Sequence, residues 1–191
     1  MPSFEYDFRF LQAGIPELKS YLLSNKIYWS LGARAPHGEP PYPRMTLGWL
    51  LLGRARGQGW QAGGLPAPRS NAFDRLGREL DTVRTRWRVA WENKAAREFS
   101  ARLRLWTNFV NEYRGGNGHA RRYPYEVQRR AMLDLLASEA REIPRAELDL
   151  LKGVDSFLRT ALRAGGFVWD EGMSAGFPQD AYWYLYGKLK K

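Results

Sequence analysis

The chain has 191 residues, with 30 Lys or Arg against 20 Asp or Glu and no Cys. Its 44% hydrophobic and 14% aromatic content can build one substantial core, which excludes disordered and low-complexity classes. Without Cys there are no disulfide frameworks, iron–sulfur clusters or thiol nucleophiles, and two His leave little scope for imidazole-rich metal sites. We therefore expect a protein without metal or cofactor.

The N-terminus has neither the cationic start nor the apolar run of a secretory signal. The most apolar stretch, residues 45–52, is much shorter than the ~20 residues that cross a bilayer. We therefore expect a soluble, cytoplasmic protein.

The first 56 residues predict short elements joined by loops. Two short helices are expected before residue 25, the second beginning at Pro16, because proline suits the first turn of a helix. Residues 27–29 are β-branched and aromatic, which favours a short extended piece. Four prolines in residues 36–43 predict an extended surface loop. Thr46 can cap a short buried helix over 47–56.

Residues 57–70 contain four Gly and two Pro and predict a linker or long loop. This segment would separate an N-terminal helical segment, 1–56, from a main helical domain, 71–191. Because 56 residues are few for an independent core, we expect the N-terminal segment to pack on the rest.

Residues 71–114 predict one long amphipathic helix capped by Asn71. They contain no Pro, and their apolar residues recur at steps of three and four. The apolar stripe shifts by about a quarter turn beyond Trp91, which predicts a bend or a new packing partner near 93–95. The Gly-rich residues 115–118 would end this helix.

The remainder predicts two helices beginning near Pro124 and Pro144, the second ending at 165–166. An aromatic C-terminal helix is expected over 179–189. The predicted fold is all-α: a helical bundle around one long amphipathic helix, straight or bent, with short N-terminal helices and at most a minor β-hairpin.

The positive charge is concentrated in residues 54–114, which carry 13 basic and 6 acidic side chains. Several arginines there fall on or beside one line of the predicted helix: Arg75, Arg78, Arg86, Arg97 and Arg104. Steps of eleven residues are close to three turns, or ~16 Å, and predict a cationic ridge that contacts phosphates. The alternative is a solvated helix face, a common explanation of charges at this spacing.

Other candidates lie in or beside the predicted loops. The basic ones are Arg54, Arg56, Arg69, Arg121 and Arg122, the last two next to His119 and the Gly-rich turn. Trp60, in the predicted linker, is a candidate to stack on a base or to anchor a partner. The Gly-rich turn is also explained as a simple connection between helices.

No motif indicates catalysis. Residues 57–62 match the dinucleotide-binding spacing, but that motif needs a preceding strand and here a helix is expected. Phosphate-binding, nucleophile-elbow and zinc-protease motifs are absent from the sequence. Neither His37 nor His119 has the carboxylate pattern of a triad. We therefore expect a non-enzymatic protein.

The sequence predicts a nucleic-acid-binding protein that contacts the backbone of DNA or RNA as a subunit of a larger nucleoprotein assembly. The alternative is a protein-interaction or assembly subunit with an acidic protein partner. It would use the Pro-rich loop 36–43 and three side chains of the C-terminal helix, Tyr182, Trp183 and Tyr186.

Overall fold

The structure, a computed structural model, describes residues 2–117 and 120–190, so His119 and the end of the predicted Gly-rich turn lie outside the described residues. The helices are α1 (Phe4–Gly14), α2 (Leu18–Leu23), α3 (Leu47–Ala62), α4 (Ala67–Arg86), α5 (Arg88–Glu112), α6 (Tyr123–Glu139) and α7 (Arg145–Ala161), and the strands are β1 (Leu162–Phe167) and β2 (Tyr186–Leu189). The predicted all-α fold with a minor hairpin is confirmed.

The N-terminal elements follow local signals. Pro16 lies in a 3₁₀ turn that leads into α2, as the sequence predicts. Trp29 and Met45 form an isolated antiparallel bridge, which confirms a short extended piece and closes the loop between them. Thr46 caps α3, because its side-chain oxygen accepts a hydrogen bond from the backbone N–H of Trp49.

The predicted linker is largely helical, so that prediction is wrong. α3 continues to Ala62 and α4 begins at Ala67, which leaves only residues 63–66 between them. α3 therefore extends well beyond the predicted end near residue 56.

The glycines of α3 explain the error, because they serve close packing. A Cβ on Gly57 would lie 2.2 Å from the ring of Phe73 in α4. A Cβ on Gly59 would lie 2.3 Å from the carbonyl oxygen of Met173, in a 3₁₀ segment near the C-terminus. The glycine-rich composition thus marks a helix approached closely from two sides.

The predicted long helix is two helices. The break falls at Trp87, where φ is −115° and ψ is 34°, rather than at 93–95. Asn71 lies inside α4 and does not cap it. The packing partner changes at this break: Phe73 of α4 packs near Phe4 of α1, with ring centroids 5.7 Å apart, whereas α5 packs mainly against α6.

α5 and α6 form the centre of the core. Trp106 of α5 lies near Tyr123 of α6, with ring centroids 6.5 Å apart, and both side chains are almost fully buried. The indole N–H of Trp91 donates to Glu139 at 2.8 Å, which joins the other ends of the two helices. None of the described helices combines the length and the apolar composition needed to cross a membrane.

The prediction of a C-terminal helix over residues 179–189 is wrong. Residues 183–185 form a 3₁₀ turn, and β2 then pairs antiparallel with β1, so that Leu162 lies opposite Leu189. α7 ends at Ala161 rather than at 165–166 because β1 follows directly. Gly187 permits the close approach of the strands, since a Cβ there would lie 2.7 Å from the carbonyl oxygen of Arg163.

Candidate nucleic-acid interface

Arg56 is buried inside the protein, so its predicted role in nucleic-acid binding is wrong. Its Nε and Nη2 donate to the two carboxylate oxygens of Asp7 in α1, at 2.9 and 2.5 Å. Its Nη1 donates to Oε1 of Gln128 in α6 at 3.2 Å. With 1% of its side chain exposed, Arg56 joins three helices and cannot reach a phosphate.

The carboxyl group of Asp7 has an unusual environment. Burial raises its pKa to about 6, against the charge and hydrogen bonds of Arg56, which lower it. Asp7 and Arg56 are 49 positions apart in the sequence, so no local pattern shows that they pair.

Arg54 is already paired. Its Nη1 and Nη2 donate to the two oxygens of Asp81 in α4, at 2.6 and 2.7 Å. These hydrogen bonds lower the pKa of Asp81. The predicted phosphate contact would have to break this pair, which links α3 to α4.

Trp60 is not the exposed side chain that the sequence predicts. Its ring is half-buried and lies against Gly172, where an added Cβ would come within 2.2 Å of the ring. Its indole N–H is buried and has no hydrogen-bond partner among the described residues. A base could not stack on the face that Gly172 covers.

Most other predicted arginines are exposed. Those that form no ion pair with any described residue are Arg69, Arg75, Arg78, Arg86, Arg104 and Arg121. Arg97 is also exposed, and its Nη2 donates to the backbone carbonyl of Asn25 at 2.9 Å. Arg86 lies over the Trp87 ring, with 5.9 Å between the guanidinium carbon and the ring centroid.

The predicted ridge is divided by the break at Trp87. Arg75, Arg78 and Arg86 belong to α4, whereas Arg97 and Arg104 belong to α5. The α4 arginines are exposed, while the apolar residues of the same helix, Phe73, Leu76 and Leu80, are buried. The structure therefore provides two basic helix surfaces instead of one straight line.

A second arginine group, which the sequence analysis missed in part, lies where α3, α5 and α6 meet. Arg102 of α5 donates to Glu98 and to Thr46, each at 2.9 Å. The other oxygen of Glu98 accepts from the backbone N–H of Gly48 at 3.0 Å. The Arg102 guanidinium carbon lies 5.5 Å from the ring centroid of Trp49. The i, i+4 spacing of Glu98 and Arg102 is a local signal of their pair.

Arg122, which directly precedes α6, and Arg129 of α6 complete this group. Arg122 and Arg129 both pair with Glu126, whose side chain is buried. Burial lowers the pKa of Arg129, and repulsion from the charges of Arg102 and Arg122 lowers it further. We call Arg102, Arg122 and Arg129 the arginine cluster; Arg122 is the one member that the sequence analysis named.

A groove lies beside Trp49. It encloses about 520 Å³, and its lining includes Tyr6, Pro41, Pro43, Trp49, Tyr125 and Gln128, which we call the proline–aromatic groove. The Pro-rich loop 36–43 forms one wall, and the hydroxyl of Tyr6 donates to the carbonyl of Pro41 at 3.3 Å. Gln128 donates to the carbonyl of Tyr125 at 3.1 Å and accepts from Arg56, so the floor of the groove is tied to the buried ion pair.

The C-terminal aromatic residues contact the rest of the chain. Tyr182, Trp183 and Tyr186 are each half-buried. The hydroxyl of Tyr186 donates to the carbonyl of Phe177 at 2.7 Å, and the guanidinium carbon of Arg159 lies 3.7 Å from the ring centroid of Trp183. These side chains therefore do not form the aromatic face around a helix that the sequence predicts.

Neither a metal site nor a relative indicates the function. Within residues 2–117 and 120–190, no three His, Asp or Glu side chains gather so that they could hold a metal ion. Comparison with protein-family models, curated proteins and solved structures found no match. The function must therefore be inferred from the arrangement of the chain's own residues.

Proposed function

We propose that this protein is a non-catalytic nucleic-acid-binding subunit that contacts the phosphate backbone through exposed arginines of α4 and α5. The observation that carries the proposal is the set of exposed arginines without a carboxylate partner among the described residues, above all Arg75, Arg78 and Arg86 on α4. Arginine suits this role because its planar guanidinium can donate two hydrogen bonds to one phosphate.

The acidic side chains of α4 do little to neutralise these arginines. Asp81 pairs with Arg54, and Asp74 accepts a hydrogen bond from the amide of Gln61 at 2.9 Å. Glu79 is the remaining acid of this helix. A solvated helix face commonly alternates opposite charges, whereas the exposed side of α4 keeps an excess of positive charge. Together with the net charge of +10, this favours binding to a polyanion.

The protein-interaction alternative depends on the Pro-rich loop 36–43 and on Tyr182, Trp183 and Tyr186, which are half-buried within the chain. It predicts dimers or larger species that persist at high salt, since salt screens charges but not apolar contacts. A monomer at every salt concentration would remove the support for this alternative, and analytical ultracentrifugation distinguishes the two.

The test is fluorescence anisotropy with labelled single- and double-stranded DNA and RNA at several salt concentrations. The variant carries Arg75→Glu, Arg78→Glu and Arg86→Glu. Its matched control carries Arg141→Glu, Arg145→Glu and Lys152→Glu, three exposed positions in and before α7 with the same change in net charge.

For the wild type we expect log K to fall linearly with log salt. The α4 variant should bind at least about tenfold more weakly, with a salt slope reduced by roughly 3, one for each lost phosphate contact. The control should lose much less affinity, and both variants should keep the wild-type melting temperature. Equal losses in both variants, or no binding by the wild type at low salt, would overturn the proposal.

A further inference from the structure

Two aromatic side chains face the proline–aromatic groove from two different helices. Trp49 lies in the first turn of α3 and is half-buried, with Arg102 over its ring. Tyr125 lies in the first turn of α6 and is 59% exposed, although large aromatic side chains are usually covered. The volume of about 520 Å³ is within the range of sites for small planar ligands.

The groove is held in shape before any ligand binds. Tyr6 fixes the proline wall through Pro41, and Gln128 fixes the backbone of Tyr125. Below them, the pair of Asp7 and Arg56 is buried and saturated with hydrogen bonds. A site that is already ordered loses little conformational entropy on binding.

Glu39 also lines the proline–aromatic groove, and its carboxylate accepts a hydrogen bond from the backbone N–H of Ser3 at 3.1 Å. The arginine cluster carries an excess of positive charge of its own. Its three guanidiniums share two buried carboxylates, those of Glu98 and Glu126. Arg129 is partly buried, and the charges of Arg102 and Arg122 repel its own. A bound anion would relieve this repulsion, so the charges favour a ligand that carries a negative group beside a planar ring.

We propose that the proline–aromatic groove accepts an unpaired nucleobase against Trp49 and Tyr125 while Arg122, the exposed member of the arginine cluster, binds the adjoining phosphate. This inference rests on the proposed function and specifies its ligand as single-stranded nucleic acid. In a duplex the bases are paired and stacked, so that only the phosphates are available to the protein. The arginines of α4 bind either form, and the groove adds affinity for single strands alone.

The experiment compares single-stranded oligo(dT) and oligo(U) with duplexes that carry the same number of phosphates, each at the same series of salt concentrations. The variants are Tyr125→Ala and Arg122→Ala. Their controls are matched in exposure: Leu23→Ala, at 57% exposed against 59% for Tyr125, and Arg9→Ala. The side chains of Arg9 and Arg122 are both 55% exposed, and each pairs with a glutamate four residues away.

We expect Tyr125→Ala to weaken single-strand binding by roughly tenfold, as for the loss of one base–aromatic stack, with duplex binding unchanged. Arg122→Ala should reduce the salt slope for single strands by about 1. The control variants should match the wild type. All four side chains are exposed, and Glu126 keeps its pair with Arg129 in the Arg122→Ala variant. The melting temperature should therefore change little and show that each variant is folded.

Photocrosslinking gives a second readout that does not depend on affinity. The complex of the wild-type protein with oligo(dT) that contains one 5-iodouracil is irradiated, and the crosslinked residue is identified by mass spectrometry. An adduct at Trp49 or Tyr125 supports the proposal. Three results together would exclude the groove while α4 still binds nucleic acid. Single strands would bind no better than duplexes, Tyr125→Ala would have no effect, and the adducts would lie at other residues. If no nucleic acid binds, both proposals are overturned.

Discussion

Arg56 of α3 and Asp7 of α1 form a two-point ion pair in which 1% of each side chain is exposed. The guanidinium also donates to Gln128 of α6, so that three helices meet at one buried charge pair. Two charges taken out of water are tolerated when their hydrogen bonds are satisfied, but each depends strongly on its partner. The pair thus fixes α1 and α6 against α3, below the proline–aromatic groove.

Arg56→Ala should lower the free energy of unfolding by about 3–5 kcal/mol, because it leaves the Asp7 carboxylate buried without its partner. Urea denaturation followed by circular dichroism measures this loss. The control is Arg54→Ala, which removes the more exposed pair with Asp81 and should cost at most about 1 kcal/mol. If Arg56→Ala kept full stability and lost nucleic-acid affinity instead, Arg56 would be an exposed binding residue and not part of a buried ion pair.

The pH dependence of stability should show the titration of Asp7. Its pKa in the folded protein is about 6, above the ordinary value of 3.8, so the folded state holds this proton more tightly than the unfolded state. The contribution of Asp7 to stability is therefore largest below about pH 4 and is lost, by up to about 3 kcal/mol, as the pH rises through 6.

Asp7→Asn isolates this contribution, because the amide keeps the shape of the side chain and does not titrate. Urea unfolding of both proteins between about pH 4 and 7 should show the stability of the wild type falling relative to Asp7→Asn as the pH rises. A difference that grows in the opposite direction would show that the ionised carboxylate is the favoured form beside Arg56.

Two glycine substitutions test the close packing of α3. Gly59→Ala should destabilise the protein by about 1–3 kcal/mol, because the new Cβ would meet the backbone carbonyl of Met173, which cannot turn aside as a side chain could. Gly153→Ala is the control: it lies in α7 with no atom near an added Cβ, and it should stabilise the helix by about 0.5–1 kcal/mol. Thermal melts measure both. A neutral Gly59→Ala would indicate that this segment is the loose linker that its composition predicts.

The sequence by itself determined the helices whose first residues carry a local signal, such as a capping side chain or a proline. Thr46 caps α3 through a bond to an amide three residues away, and the prolines at 124 and 144 stand at the starts of α6 and α7. The apolar periodicity likewise predicted the helical character of residues 71–114 and a change of packing partner within them, although this change falls at Trp87 rather than near 93–95. These features follow from groups within a few positions of each other, which the sequence displays directly.

Only the tertiary structure decided what several side chains of α3 do. The sequence does not distinguish an exposed arginine from a buried one. Arg56 is buried because Asp7 of another helix pairs with it. The composition around Gly57 and Gly59 predicts a linker, but both residues lie in a helix. Phe73 and Met173 pack in the space that side chains at these two positions would occupy. The proline–aromatic groove likewise joins residues from three separate parts of the chain. Burial and pairing depend on the distance in space between residues that are far apart in sequence, and only the folded chain fixes that distance.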